Sequence, residues 1–250
     1  VENEYLFSIS YLLSEDDYLA GHLLNSCIYA LGIGINLGIA KHSLEELAVA
    51  CLFYDIGMLK VYDLVKKAQK LNPDEYEKVK SHTQEASDLL KDINGLPKVV
   101  MVVAGQHHER FDGSGYPNGL KAKQIHEFAR IVGIVDTYET LTHNRPYQDK
   151  VLPHDAVRVI IEQRHLFDPA MLKSFIEAIG IYPVPTWIEL SNGQIGKVVR
   201  IQKNSILRPI VNIYFDSEGQ RLSETKLVDL SKETNLYIKK ATEGKSSGES

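Results

Sequence analysis

Cysteine is scarce in this chain: among 250 residues, only Cys27 and Cys51 carry thiols. Both sit inside apolar helical patterns, so buried thiols of a reducing compartment fit better than a disulfide framework, and the cytoplasm is the expected location. Long apolar runs are also lacking. None reaches the ~18 residues of a membrane span, and no charged-then-apolar leader opens the chain. The sequence begins at Val1 rather than Met, which fits the removal of an upstream sensory or anchoring segment. A dense basic track is missing as well. Lys and Arg number 28 against 33 Asp and Glu, a net charge of -5, so polymeric nucleic acid is not the expected partner. No internal repeat is found. What is present is a 44% hydrophobic composition, enough for a full core in one large domain or in a large and a small one.

Hydrophobic spacing predicts a mainly α fold over residues 16–182, preceded by a helical lead-in over 1–15. Asp16 and Asp17 can cap a helix over residues 18–37, with Leu19, Leu23, Cys27, Ala30 and Leu31 on one face. Ser43 followed by Glu46 makes a capping box, and Leu44, Leu47, Ala48, Cys51, Leu52 and Asp55 form the stripe of the next helix. Further helices start at Pro73 and at Thr83, the latter ending near Asn94-Gly95. Pro97 precedes a Val-rich run, Val99 to His108, read as helix because Pro97 starts it and its neighbours are helical. Residues 127–142 and the segments after Pro153 and Pro169 complete the helical part. Beyond Pro183 the texture changes. Thr186 to Leu190, Gly196 to Ile201, Ile210 to Phe215 and Lys226 to Leu230 are short β-favouring runs separated by turns, a small β-hairpin or barrel-like module over 183–243. The Gly/Ser-rich end, 244–250, reads as a disordered tail.

The chemistry-bearing residues lie on separate helices: His22, Asp55, His82, the adjacent pair His107 and His108, and Asp136. A lone helical histidine is weak evidence, but this combination is not. An unpaired carboxylate at Asp55, on a core stripe, costs several kcal/mol and needs a cation, strong donors or a proton. Asp136 shares its face with the small residues Ala129, Gly133 and Thr140, which leave room around it. Successive helical residues diverge by about 100°, so His107 and His108 can aim at different neighbours of one site. They run into Glu109-Arg110-Phe111-Asp112-Gly113-Ser114-Gly115-Tyr116-Pro117, a Gly-rich loop suited to shaping a substrate pocket beside a metal.

The block HHERFDGSGYPNGL, together with Asp55-Ile56-Gly57, Ser81-His82-Thr83 and Asp136-Thr137-Tyr138 leading to Arg145-Pro146-Tyr147, resembles the HD-GYP family of bacterial cyclic di-GMP phosphodiesterases. The match runs over residues 18–180. It implies an HD-type helical bundle around a metal centre, and the β module is similar to an extension found on some members. Carried over residue by residue, the metal ligands are His22, Asp55, His82, His107, His108 and Asp136. Asp55 bridges two divalent transition metals. His82, His107 and His108 hold one, while His22 and Asp136 hold the other. Such mixed shells suit iron first, then manganese or zinc. Two close metals can supply a nucleophile for in-line attack on a phosphodiester and neutralise phosphoryl charge. The implied products are the linear dinucleotide and then GMP.

In the same resemblance Arg145 forks onto phosphate oxygens, acting in catalysis as well as in binding. Gly113, Gly115, Tyr116 and Pro117 shape the substrate loop, and Asp112 orders it through nearby backbone N–H groups. The metal cluster and Arg145 supply local positive potential for the two phosphates of the dinucleotide despite the acidic chain. The chain departs from the family at four places. Tyr54 stands where the histidine of the His-Asp pair belongs; a ferric ion can lower a phenol's pKa enough for it to coordinate as phenolate, but a tyrosine filling space is the expected reading. Met58 replaces a lysine that could steady a phosphoryl oxyanion, Gln148 a second basic phosphate contact, and Tyr18 a glutamate that binds a third metal in some members. These departures keep two further readings open: a receptor that binds the dinucleotide or a protein without turnover, and a di-iron redox or oxygen sensor. The apolar stretch of Tyr5, Leu6, Ile9, Leu12 and Leu13 is expected to pack on the chain's own core; its alternatives are a homodimer contact or a missing upstream domain.

Overall fold

The computed structural model describes residues 18–65, 71–143 and 151–242, and the predicted lead-in and tail lie outside them. Its helices are α1 (Tyr18–Asn36), α2 (Lys41–Phe53), α3 (Tyr62–Val65), α4 (Pro73–Lys80), α5 (His82–Leu90), α6 (Lys98–Gln106), α7 (Glu127–Thr142), α8 (Pro153–Glu162) and α9 (Pro169–Ile179). A 3-10 turn, Ile56–Lys60, joins α2 to α3. Helix α7 is the hub. It buries residues all round its circumference, Phe128, Ile131, Val132, Ile134, Val135 and Tyr138 among them, as a helix enclosed by others must. It packs against α1, α6, α8 and α9, while α1 lies on α2 and α9 and α5 lies on α6. The shared core brings together Ile33, Leu47, Cys51, Val103, Ile131, Ile160 and Phe175. Cys27 and Cys51 are buried free thiols in it.

Local signals explain several helix ends. Asn72 and Glu75 close a reciprocal capping box around α4, with Pro73 in its first turn. Asp168 caps α9 by accepting from the Ala170 and Met171 N–H groups and also pairs with Arg130 of α7, tying the two helices together. The Val-rich run is helical as expected. Val100, Val103 and Ala104 are buried on it, and contacts with α2, α5 and α7 outweigh the strand propensity of valine. One expected start is wrong. Helix α2 begins at Lys41 after the extended residue Ala40, whose carbonyl accepts from the Leu44 N–H, so Ser43 lies inside the helix and makes no capping box with Glu46. The cause is the short connection: Gly38, with φ of 74°, ends the preceding turn, and the chain re-enters a helix at once. Helix α5 also stops at Leu90, short of Asn94-Gly95.

The C-terminal part is one antiparallel sheet of β1 (Trp187–Leu190), β2 (Ile195–Arg200), β3 (Ile210–Phe215), β4 (Arg221–Asp229) and β5 (Ile238–Thr242), in the order β4-β3-β2-β1-β5. Alternation in β1 and β3 sends Ile188, Leu190, Val211 and Ile213 to one face, where Val198, Val228 and Leu230 join them in a separate small core. Strand β5 was not anticipated. Its Ile-Lys-Lys-Ala-Thr sequence carries no apolar alternation, because it is an edge strand paired only with β1.

Candidate metal centre

Asp55 organises the centre, though not from the helical stripe assigned to it. Helix α2 ends at Phe53, Tyr54 caps it, and Asp55 follows at the head of the 3-10 turn, its carbonyl accepting from the Met58 N–H. The turn packs on α5, and the Asp55 carboxylate is buried with only 4% exposure. Its Oδ1 faces His82 Nε2 at 3.2 Å and His107 Nε2 at 3.8 Å, and its Oδ2 faces His22 Nε2 at 3.6 Å. One carboxylate therefore looks toward two groups of donors.

On the first side lie His82 at the start of α5 and His107 and His108 just past the end of α6. Their ligand-competent nitrogens all fall within 4.8 Å of one another. His82 Nδ1 donates to the Val79 carbonyl at 2.5 Å and His107 Nδ1 to the Ala104 carbonyl at 2.9 Å. These bonds set the tautomer and turn both Nε2 lone pairs inward, where they meet at 3.2 Å. Two lone pairs and a carboxylate oxygen converging in a buried space repel each other unless a cation or proton sits among them. Asp55 Oδ1 is buried and has no hydrogen-bond partner among the described residues, which points to the same requirement. Burial, and then the charge of His82, push His107 down to about 4, while burial and the neighbouring His107 hold His108 well below the usual histidine range. Neutral imidazole is the form that binds a metal. The residues fit a divalent ion.

On the second side, His22 of α1 and Asp136 of α7 meet through His22 Nε2 and Asp136 Oδ1 at 3.3 Å. Tyr54 joins them. Its hydroxyl lies 2.5 Å from His22 Nε2 and 3.2 Å from Asp136 Oδ1, so this buried tyrosine does not merely fill space. Sequence reasoning missed Glu139, one turn beyond Asp136 on α7. Its buried carboxylate binds His22 Nδ1, accepts from Asn25 Nδ2 at 3.4 Å and faces His143 Nδ1 at 3.0 Å, which aims His22 Nε2 at the centre. The signal was its i+3 spacing from Asp136 on an inward face. Burial opposes a charge on His22, yet the carboxylates of Glu139 and Asp136 raise it to about 10. Asp136 is held well below the usual carboxylate range: its own burial works against this, and the contact with His22 prevails. Burial and then the charges of Asp136 and Asp55 keep the Tyr54 phenol protonated.

The loop after His108 covers the first side. Glu109, also missed, is buried and accepts from the Asn118 and Leu120 N–H groups at 2.7 and 2.9 Å, closing the loop on its base. Asp112 accepts from the Ser114 N–H at 2.9 Å, the ordering role expected of it. Gly113 has φ of 85°, and a Cβ on Gly115 would stand 2.3 Å from Arg110 N and 2.4 Å from the His108 carbonyl oxygen, so neither position accepts a side chain without a shift. That approach lets Tyr116, joined to Pro117 by a cis peptide bond, stack on His108 at 4.7 Å between ring centroids. The structure thus brings His22, Asp55, His82, His107, His108 and Asp136 together with Tyr116 at the rim. Arg145 and Gln148 lie outside the described residues.

A helical bundle holding buried histidines and carboxylates around one shared aspartate defines a class of metal-binding domain. Comparison with known proteins identifies it: the chain belongs to the HD-domain family, in its HD-GYP branch, with the HD domain model matching residues 13–171. A model described as a KOW domain associated with HD domain matches residues 187–249. The chain is 32% identical over 226 residues to a cyclic di-GMP phosphodiesterase of Pseudomonas aeruginosa, covering 90% of this chain and 55% of that protein. It is 29% identical to the 3'3'-cGAMP-specific phosphodiesterase 3 of Vibrio cholerae, covering 68% of this chain and 37% of that one. The chain thus spans about half or less of the length of these relatives. An HD-G"Y"P protein from Bdellovibrio bacteriovorus shares the fold, with a TM-score of 0.55 at 18% identity over 66% of this chain and 54% of that one. Among the described residues no helix is long and apolar enough to cross a membrane.

Proposed function

We propose that the chain is a metal-dependent phosphodiesterase that opens cyclic di-GMP to the linear dinucleotide. The observation that carries this reading is the Asp55 carboxylate, one buried oxygen unpartnered among imidazoles and the other facing His22. This arrangement supports an Asp55 carboxylate shared by two divalent ions. His82, His107 and His108 would hold one with Asp55 Oδ1, and His22 and Asp136 the other with Asp55 Oδ2. Bound there, the ions supply Lewis acidity and an activated water for attack on phosphorus. The donor set favours iron, then manganese or zinc. The names of the relatives support a cyclic dinucleotide as substrate. The stacking of Tyr116 on His108 supports a role for it in receiving a base or phosphate, and Gly113, Gly115 and Pro117 keep that loop close to the centre. Arg145 is assigned to a phosphate and to the charge that develops on it.

Cyclic di-GMP incubated with protein loaded with Fe, Mn or Zn should give linear product with at least one metal, and Asp55→Ala should abolish it. Metal-loaded protein that forms no product with any of them overturns the reading. A second reading, a receptor that binds the dinucleotide without turnover, is favoured by the Tyr54 hydroxyl lying against His22 Nε2, the nitrogen the second ion needs. Stoichiometric binding of intact ligand by metal-loaded, inactive protein would select it.

A further inference from the structure

Tyr54 occupies the one position where the centre departs from a histidine, and its ring has no freedom to leave. It is fully buried, meets His107 edge-on with centroids 4.7 Å apart at 72°, and sits 5.8 Å from the His22 ring. This packing delivers the phenol oxygen into the second donor group. Its neighbours are His22 Nε2 at 2.5 Å, Asp136 Oδ1 at 3.2 Å and, on the far side, Ser26 Oγ at 3.3 Å, while His22 Nε2 and Asp136 Oδ1 are themselves 3.3 Å apart. Donors that share one ion at about 2.0–2.2 Å stand about 3 to 3.5 Å from one another. Two sides of the triangle already have that length, and the third, from Tyr54 to His22, is a shorter hydrogen bond whose proton an ion would replace. A phenylalanine would fill the same volume without adding an oxygen to a group that holds a carboxylate. We propose that Tyr54 is a protein ligand, its phenolate joining His22, Asp136 and Asp55 as the donor set of the second ion.

This inference rests on the two-metal reading above and sharpens it. Ligation exchanges the phenol proton, which leaves to solvent, for the ion. It also substitutes an anionic oxygen for a neutral imidazole, which biases this site toward ferric iron over softer divalent ions. The other half keeps its imidazole-rich shell, so the two ions differ in preferred charge.

The test is spectroscopic and does not depend on turnover. Metal-free protein is loaded anaerobically with ferrous iron and then oxidised. An intense visible absorption from phenolate-to-iron charge transfer is expected, with tyrosinate ring vibrations enhanced in resonance Raman spectra excited within it. Tyr54→Phe should lose both the band and one of the two irons, Tyr54→His should regain the second iron without the band, and Tyr116→Phe should keep the band. Iron bound without the band, no iron bound, or a band that survives Tyr54→Phe overturns the inference. The outcomes separate the two claims. Hydrolysis by a two-iron protein lacking the band rejects only Tyr54 ligation, whereas a band without hydrolysis in any metal form rejects only the phosphodiesterase reading.

Discussion

His107 and His108 on one side of Asp55, and His22 beside Asp136 and Glu139 on the other, are shifted in opposite directions by the same protein. Burial and the neighbouring imidazoles hold His107 and His108 below the usual histidine range, with His107 pushed down to about 4. Paired carboxylates hold a proton on His22 in the second set, raising it to about 10 despite its burial. The imidazole half therefore turns inward nitrogens suited to a cation. The carboxylate half already has internal ion pairs, and an incoming ion must displace the His22 proton and take over its contact with Asp136. In the proposed two-ion centre, binding at the second half would be coupled to proton release, and that ion is expected to be the weaker of the two.

The largest expected effect comes from removing what the halves share. Asp55→Ala takes an oxygen from each proposed ion at once, so both metals should dissociate more readily and turnover should fall at least about a thousand-fold, the scale of several kcal/mol of lost transition-state stabilisation. Elemental analysis alongside product formation checks this. If one ion stays bound at full affinity, the carboxylate is not shared.

A smaller effect breaks the comparison electrically, in the thermal stability of metal-free protein against pH. His107 has its folded value below that of the unfolded chain, so below about pH 6.5 the unfolded chain takes up a proton that the folded protein refuses. Its contribution makes stability fall as pH drops from about 6.5 to about 4. His22 is shifted the other way. Its contribution is fully present below about pH 6.5 and is lost as pH rises through about 10. Tm should therefore peak near neutrality, with His107→Gln flattening the acid limb and His22→Gln the alkaline limb. A profile on which both variants flatten the same limb would remove the electrical distinction between the halves.

These halves were not equally legible in the sequence. His82, His107 and His108 lie in or beside a specific block, and backbone carbonyls one turn earlier orient two of them, so local spacing carries most of their geometry. The other half is assembled by long-range packing. His22 and Glu139 stand 117 residues apart, and a glutamate near the end of a helix ordinarily reads as a solvated residue. Tyr54 was read as filler because a side chain's identity does not tell which way its hydroxyl points; the edge-on contact with His107 decides that. The bundle was readable for the same local reason as the first half. Helix α7 runs from Glu127 to Thr142 as its apolar pattern indicates, and the proline starts of α4, α8 and α9 held. Failures fell where neighbours override local preference: at Ser43, drawn inside α2 by the short preceding turn, and at β5, whose lysine-rich edge strand carries no apolar alternation.

Glu139 offers the sharpest single-residue test of the asymmetry, because it touches one half only. Its carboxylate fixes His22 through Nδ1 and is itself held by Asn25 and His143. Glu139→Gln keeps the shape but removes the charge that supports the His22 proton and the basicity of Nε2. Outer partners of this kind are worth about 10- to 100-fold in metal affinity. The second ion should weaken by that factor, while the ion held by His82, His107 and His108 should bind as before. The substitution should also lower the His22 value, so the alkaline limb of the metal-free stability profile moves toward neutral pH while the His107 limb stays in place. Calorimetric metal titration reads the first effect and thermal melts across pH the second. Equal weakening of both ions would show that the two halves respond as one unit and that the division at Asp55 has no energetic meaning.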